Sequence, residues 1–115
     1  MRKIRFDLTP DRILDKTKTV TRRKDWKNLK PGAELIAVNK KKGSGKTIDL
    51  ARIRVIGVHR EPLDAITEED VRKEGFPDWT TGEFISFCEK NLEMRAKDTI
   101  TRIEFEYMTF ETIRT

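Results

Sequence analysis

The chain has 115 residues, enough for one domain, and its 36% hydrophobic content supplies one modest core. Charged residues make up 39%, and the 25 Lys+Arg against 20 Asp+Glu leave a formal net charge of +5. That value conceals a division: residues 1–60 hold 18 Lys/Arg and 6 Asp/Glu, a local +12, whereas residues 61–115 hold 7 and 14, a local −7. No apolar run approaches the roughly 18 residues of a membrane-spanning helix, and no apolar stretch follows Met1-Arg2-Lys3-Ile4-Arg5 as a secretory signal requires. A lone Cys88 excludes an intramolecular disulfide and a Cys-rich zinc site, and a lone His59 excludes a His-rich metal site or a His–His acid/base pair. The expectation is a soluble, cytoplasmic, monomeric protein with no metal or cofactor. The basic half invites a polyanion, RNA or DNA first.

Ile4, Phe6 and Leu8 alternate with Lys3, Arg5 and Asp7, which predicts a half-buried strand. Thr9-Pro10 then opens a short helix, with Thr9 as N-cap and Pro10 in the first helical position. Leu29-Lys30-Pro31-Gly32 marks a turn into a strand over Glu34–Val38, and the segment Lys40 to Lys46 reads as a solvated hairpin loop. Ile48–Val58 is the longest β-branched stretch, and its near-continuous apolarity predicts a central strand covered on both faces.

Thr67 caps the next element, a helix with Glu68, Glu69 and Asp70 in its first turn, closed by Gly75 with Pro77 just beyond. Thr80-Thr81-Gly82-Glu83 is a capping box for a second helix, whose apolar face is Phe84, Ile85, Phe87, Cys88 and Leu92. A last strand alternates Ile103, Phe105 and Tyr107 with Arg102, Glu104 and Glu106, and the tail after Met108 is expected to be loosely held. Strands surrounding a few short helices give an α+β domain, a small twisted β-barrel with helices packed on its side.

Gly43-Ser44-Gly45-Lys46-Thr47 holds the end of a phosphate-binding P-loop, but the glycine needed five residues before Gly45 is Lys40, and a strand rather than a helix follows. The segment Lys16-Thr17-Lys18-Thr19-Val20-Thr21-Arg22-Arg23-Lys24 is denser in chemistry. Lysines offer point charge to phosphates, arginines offer forked donors, and a lysine beside a threonine can activate an alcohol nucleophile if burial lowers its pKa. The alternative is a solvated basic strand edge. On a regular strand Lys18 and Thr21 point to opposite faces, so they can meet only if the chain turns, bulges or coils. Glu74, at the unfavourable end of its helix's dipole, hints at a use other than helix stability, the alternative being an exposed glutamate in Arg72-Lys73-Glu74. Trp26 and Trp79 could each stack on a base or plug the end of the barrel. Cys88 reads as core, and His59 as structural or exposed.

Together these pieces resemble the ASCH domain, a branch of the PUA-like superfamily. The resemblance is carried by Ile13 to Arg23, Leu29-Lys30-Pro31-Gly32-Ala33-Glu34-Leu35, Glu61-Pro62-Leu63, Ile66-Thr67-Glu68-Glu69-Asp70-Val71, Glu74-Gly75-Phe76-Pro77 and Thr101 to Phe105. It implies a PUA-like barrel with a basic cleft and a role in RNA or nucleoside chemistry. It also implies a likeness to a bacterial subfamily that deacetylates N4-acetylcytidine. There the attacking threonine, the lysine that takes its proton and the supporting glutamate correspond to Thr21, Lys18 and Glu74. Arg23 matches the following arginine, while Arg22 stands where that subfamily tends to be apolar, and the 76–97 region is extended. The expected cleft therefore combines a catalytic set, Lys18, Thr21 and Glu74, with Arg22, Arg23, Lys16, Lys24 and Trp26 for binding RNA or a modified nucleoside. Glu74 is the one contribution expected from the acidic half. A ribonuclease working through the same basic cleft and a non-catalytic RNA-binding module remain alternatives.

Overall fold

Apolar–polar alternation and β-branched side chains draw most of the chain into one mixed sheet of five strands. The computed structural model describes residues 1–41 and 43–109. In chain order the elements are β1 (Lys3–Arg5), α1 (Pro10–Leu14), β2 (Val20–Arg23), β3 (Glu34–Lys40), β4 (Thr47–Pro62), α2 (Glu68–Lys73), α3 (Thr81–Asn91) and β5 (Thr99–Tyr107). Across the sheet the order is β1-β3-β4-β5-β2, with β1 parallel to β3 and every other pair antiparallel. The arrangement is α+β, as expected, but the sheet curls into a half-barrel instead of closing. Its edges, β1 and β2, are only three and four residues long, and no ladder joins them. Arg23 crosses the seam, its Nη2 donating to the carbonyl of Arg5 at 2.6 Å.

β4 is central, but it is not covered on both faces. Its pairing with β5 shifts register between Val55 and Gly57, so Ile56 is squeezed out and stands 48% exposed. The bulge reverses the inward parity, from Ile53 and Val55 before it to Val58 after it. Leu8, expected on the inner face with Ile4 and Phe6, is exposed because β1 ends at Arg5. β3 and β4 pair as an antiparallel hairpin, with a bond from Lys41 N–H to the carbonyl of Lys46 at its turn. Thr47 then opens β4 rather than a helix, which removes the P-loop context. The tail expected to be loose falls mainly on residues 110–115, outside the described residues.

The helices start where their caps predict. Thr67 Oγ1 accepts the Asp70 N–H, and Thr80 and Glu83 make both bonds of a capping box. Thr9 takes the N-cap position of α1 without a side-chain cap bond. One turn of 3₁₀ helix over Leu63–Ala65, not foreseen, leads out of β4. Two apolar clusters result. One fills the half-barrel around Phe6, Leu35, Ile53, Ile103 and Phe105, and the other lies beneath the helices around Leu63, Val71, Phe84, Cys88 and Ile100. No helix among the described residues is long and apolar enough to cross a membrane.

Antiparallel pairing of β4 with β5 also brings the two charged halves together, as in the Arg54–Glu106 pair at 2.9 Å. The segregation in sequence is therefore partly undone in space.

Gly75 ends α2 at φ +104°, and a Cβ there would lie 2.9 Å from Arg12 Cγ and 3.1 Å from Arg12 Cβ on α1. Both the conformation and the space exclude a side chain. Gly75→Ala is therefore expected to cost about 1–3 kcal/mol in urea unfolding; an unchanged midpoint would contradict this packing of α1 on the end of α2.

Candidate functional site

Lys18 reaches the site because the chain turns before it rather than after it. Lys16 takes a left-handed conformation at φ 63°, after which Lys18 N–H bonds to the Arg12 carbonyl and Thr19 N–H to the Lys73 carbonyl. β2 starts only at Val20, so Lys18 lies outside the strand and escapes the alternation that would set it opposite Thr21. Its ammonium donates to Glu74 Oε1 at 2.8 Å and to the Glu74 carbonyl at 3.0 Å.

Glu74 is the C-cap of α2 and is 2% exposed. Its other carboxylate oxygen, Oε2, accepts Arg22 Nη1 at 3.2 Å. Two cations thus offset the unfavourable dipole end and the loss of water.

Arg22 faces the helices from β2. Its Nη2 donates to Asp70 Oδ2 at 2.6 Å and to Glu61 Oε2 at 3.3 Å, while its Nε has no hydrogen-bond partner among the described residues. Asp70 in turn accepts Arg102 Nε at 2.7 Å and Arg102 Nη2 at 3.0 Å, and Glu61 Oε1 meets His59 Nε2. Burial pushes the Asp70 carboxyl up, but the hydrogen bonds and charges of Arg102 and Arg22 outweigh it and hold Asp70 well below the usual carboxylate range.

Thr21 and Arg23 face the other way, toward the barrel interior. Arg23 Nε donates to Thr21 Oγ1 at 3.0 Å, and its guanidinium lies 4.8 Å from the centre of the Phe6 ring. Burial pulls the Arg23 guanidinium down to about 10, which leaves it charged at neutral pH. Burial also lowers the Lys18 ammonium from its ordinary value; Glu74 opposes that shift and the Arg23 charge adds to it.

These groups line one cavity of about 540 Å³ at the open seam, between the two apolar clusters. Its polar lining includes Lys18, Thr21, Arg22, Arg23, Lys24 and Glu74, with Arg5 and Asp7 at the β1 side. Phe6 closes it from the barrel, and Phe76, Phe84, Phe87, Cys88 and Met94 wall it from the helices. The Cys88 thiol is buried and pushed up to about 12, which removes it as a nucleophile at neutral pH.

The reading of Lys18 to Arg23 as a solvated strand edge does not hold, because Lys18, Thr21 and Arg22 are each 3–4% exposed. Two expected binding residues are not brought to the cavity. Lys16 is exposed in the turn after α1, and Trp26 packs on the barrel core with Arg2 4.1 Å over its ring. Lys24 lies at the cavity, but its Nζ is bonded to the Glu93 carbonyl. Trp79 stacks on Phe76 at 4.1 Å, a packing role. Glu61 and Asp70 join Glu74 around Arg22, so the acidic half supplies three carboxylates here and not one. Asp70 had a sufficient local reason in the first turn of its helix, and only tertiary structure shows its second one. Among the described residues no cluster of His, Cys, Asp or Glu could hold a metal ion.

Several solved structures share this fold. An ASCH domain from Lactobacillus crispatus JV V101 matches with a TM-score of 0.59 at 14% identity, over 92% of this chain and 79% of that one. An ASCH protein from Zymomonas mobilis matches with a TM-score of 0.62 at 9% identity, over 97% and 75%. A DUF984 protein from Enterococcus faecalis V583 matches with a TM-score of 0.63 at 20% identity, over 92% and 71%. No family model and no curated protein matches the sequence. The chain has an ASCH-like, PUA-like fold.

Because Asp70 is depressed in the folded state, its contribution is present above the ordinary carboxylate pKa and is lost as pH falls through the folded value. Asp70→Asn is expected to cost about 3 kcal/mol at pH 7, since it leaves Arg22 and Arg102 short of a partner. The gap between variant and wild type should begin to narrow below about pH 5 and shrink further toward pH 3 in denaturant titrations; a constant gap would contradict the pairing.

Proposed function

We propose that the protein is an amidohydrolase that removes the acyl group from N4-acetylcytidine-type substrates, with Thr21 as nucleophile, Lys18 as base and Glu74 in support. The observation that carries this reading is the presence of Lys18, Thr21 and Glu74 on the wall of a single cavity, with Lys18 bonded to Glu74 and Arg23 bonded to Thr21. The cavity volume of about 540 Å³ lies in the range of small-molecule sites, and its aromatic wall suits a flat base.

Thr21 Oγ1 attacks the amide carbonyl carbon while neutral Lys18 takes the hydroxyl proton. Arg23, already donating to that oxygen, stabilises the charge that develops there during proton transfer. The tetrahedral intermediate collapses with cleavage of the C–N bond, and Lys18 returns the proton to the departing nitrogen. Water then hydrolyses the acyl-threonine ester: Lys18 takes the water's proton and returns it to Thr21 Oγ1. Burial favours the neutral amine this scheme needs, so activity should rise with pH along a limb below the ordinary lysine value.

Release of cytidine from N4-acetylcytidine tests the reading. Thr21→Ala and Lys18→Met are each expected to lower kcat by about 10²-fold or more. Equal turnover in wild type and both variants would overturn it. Salt-sensitive RNA binding without cytidine release would point to a binding module instead.

A further inference from the structure

Lys18 has a difficulty as a base, and it arises from Glu74. A carboxylate 2% exposed needs a counter-charge, and if Lys18 were the only one, giving up its proton would strand the carboxylate in the interior. The bond from Lys18 Nζ to Oε1 would then hold the lysine in its charged, inactive form. The second oxygen, Oε2, is met by the guanidinium of Arg22, a second cation on the same carboxylate.

Arg22 is itself held from several sides. Glu61 on β4 and Asp70 on α2 share its Nη2, with His59 behind Glu61 and Arg102 on β5 behind Asp70. Arg102 also pairs with Glu104 at 3.5 Å. Arg23 on β2 and the Cys88 thiol on α3 also act on Lys18, and Arg5 at the end of β1, Asp7 just after it and Lys24 just after β2 line the same cavity. The Tyr107 hydroxyl on β5 bonds to the Lys18 carbonyl at 2.6 Å.

We infer that Arg22 is a positioning residue that keeps Glu74 compensated when Lys18 is neutral, and so makes the lysine available as a base. The inference rests on the amidohydrolase reading for its purpose, but its physical content, control of Lys18 protonation by the Arg22–carboxylate cluster, is measurable without turnover. It also gives Arg22 a task other than meeting phosphate. The strength of the effect is set by the carboxylates that share Arg22. Glu61 draws its charge away from Glu74, so neutralising Glu61 leaves more positive potential at the site.

The test is an NMR titration of the lysine ¹³Cε resonances, with the Lys18 signal assigned by its loss in Lys18→Met. In Arg22→Gln the Lys18 midpoint should rise by about one pH unit or more, because a neighbouring cation has gone. In Glu61→Gln it should fall, because a neighbouring anion has gone. A merely structural role predicts something else: a loosened, wetter site relieves Lys18 of its burial and raises the midpoint in both variants. A Lys18 midpoint unmoved in folded Arg22→Gln, or raised in Glu61→Gln, overturns the inference. If Arg22→Gln does not fold, Glu61→Gln decides alone: a fall supports the inference, and no change or a rise overturns it. Where N4-acetylcytidine is turned over, the ascending limb of the pH–kcat profile should move with the midpoint in each variant. Opposite midpoint shifts without cytidine release would uphold the control of Lys18 by Arg22 and overturn the amidohydrolase reading alone.

Discussion

Glu74 is a carboxylate stripped of water and set at the negative end of a helix, where both circumstances disfavour its charge. It is held by Lys18 from the turn before β2 and by Arg22 from β2 itself. That pair of contacts fastens α2 to the edge of the sheet, and Asp70 with Arg102 carries the same attachment across to β5. The backbone ladder sets β2 against β5, and one cluster of opposed charges, with the bond from Thr19 N–H to the Lys73 carbonyl, joins α2 to them. Removing one member of such a buried set costs about 3–5 kcal/mol, because the partners remain buried without compensation.

The half-barrel supplies the other requirement, an opening. Had β1 and β2 been long enough to pair, backbone bonds would have closed the seam and filled the space where the cavity lies. With three and four residues they leave it open, and the Arg23 side chain reaches across it. The gap is walled by Phe6 from the barrel and by Phe76, Phe84 and Phe87 from the helical layer. Apolar walls of this kind lower the effective dielectric and strengthen every charge interaction among Lys18, Glu74 and the two arginines. The bulge at Ile56 belongs to the same design, since it re-aims β4 so that Val58 faces inward after Val55.

Much of the fold was legible because it rests on local rules. Period-two alternation located β1 and β5, a β-branched run located β4, and Thr67, Thr80 and Glu83 located helix starts within a residue, since a cap satisfies N–H groups only a few positions away. The expectations that failed were about long-range coverage. The apolarity around Ile56 suggested burial on both faces, but no layer covers it, and the alternation that included Leu8 outran the strand. The site was legible in part. Residue chemistry and the resemblance together pointed to Lys18, Thr21 and Glu74, while regular strand geometry argued against their meeting. The left-handed turn at Lys16 removes that objection, and a lysine in that conformation carries no signature in the sequence.

Arg22 marks the boundary most clearly. In sequence it is one basic residue among several and reads as a phosphate contact; in the fold it is buried and surrounded by Glu61, Asp70 and Glu74, residues 39, 48 and 52 positions away. Sequence by itself determined the α+β class, the helix caps and the charge division, because these follow from composition and near-neighbour periodicity. Tertiary structure decided which charges are paired, that Lys16 and Trp26 stand apart from the cavity, and that the basic segment is interior instead of a solvated edge. Burial and counter-charge are set by what the rest of the chain brings alongside, and the partners of β2 lie across the sheet and on the helices.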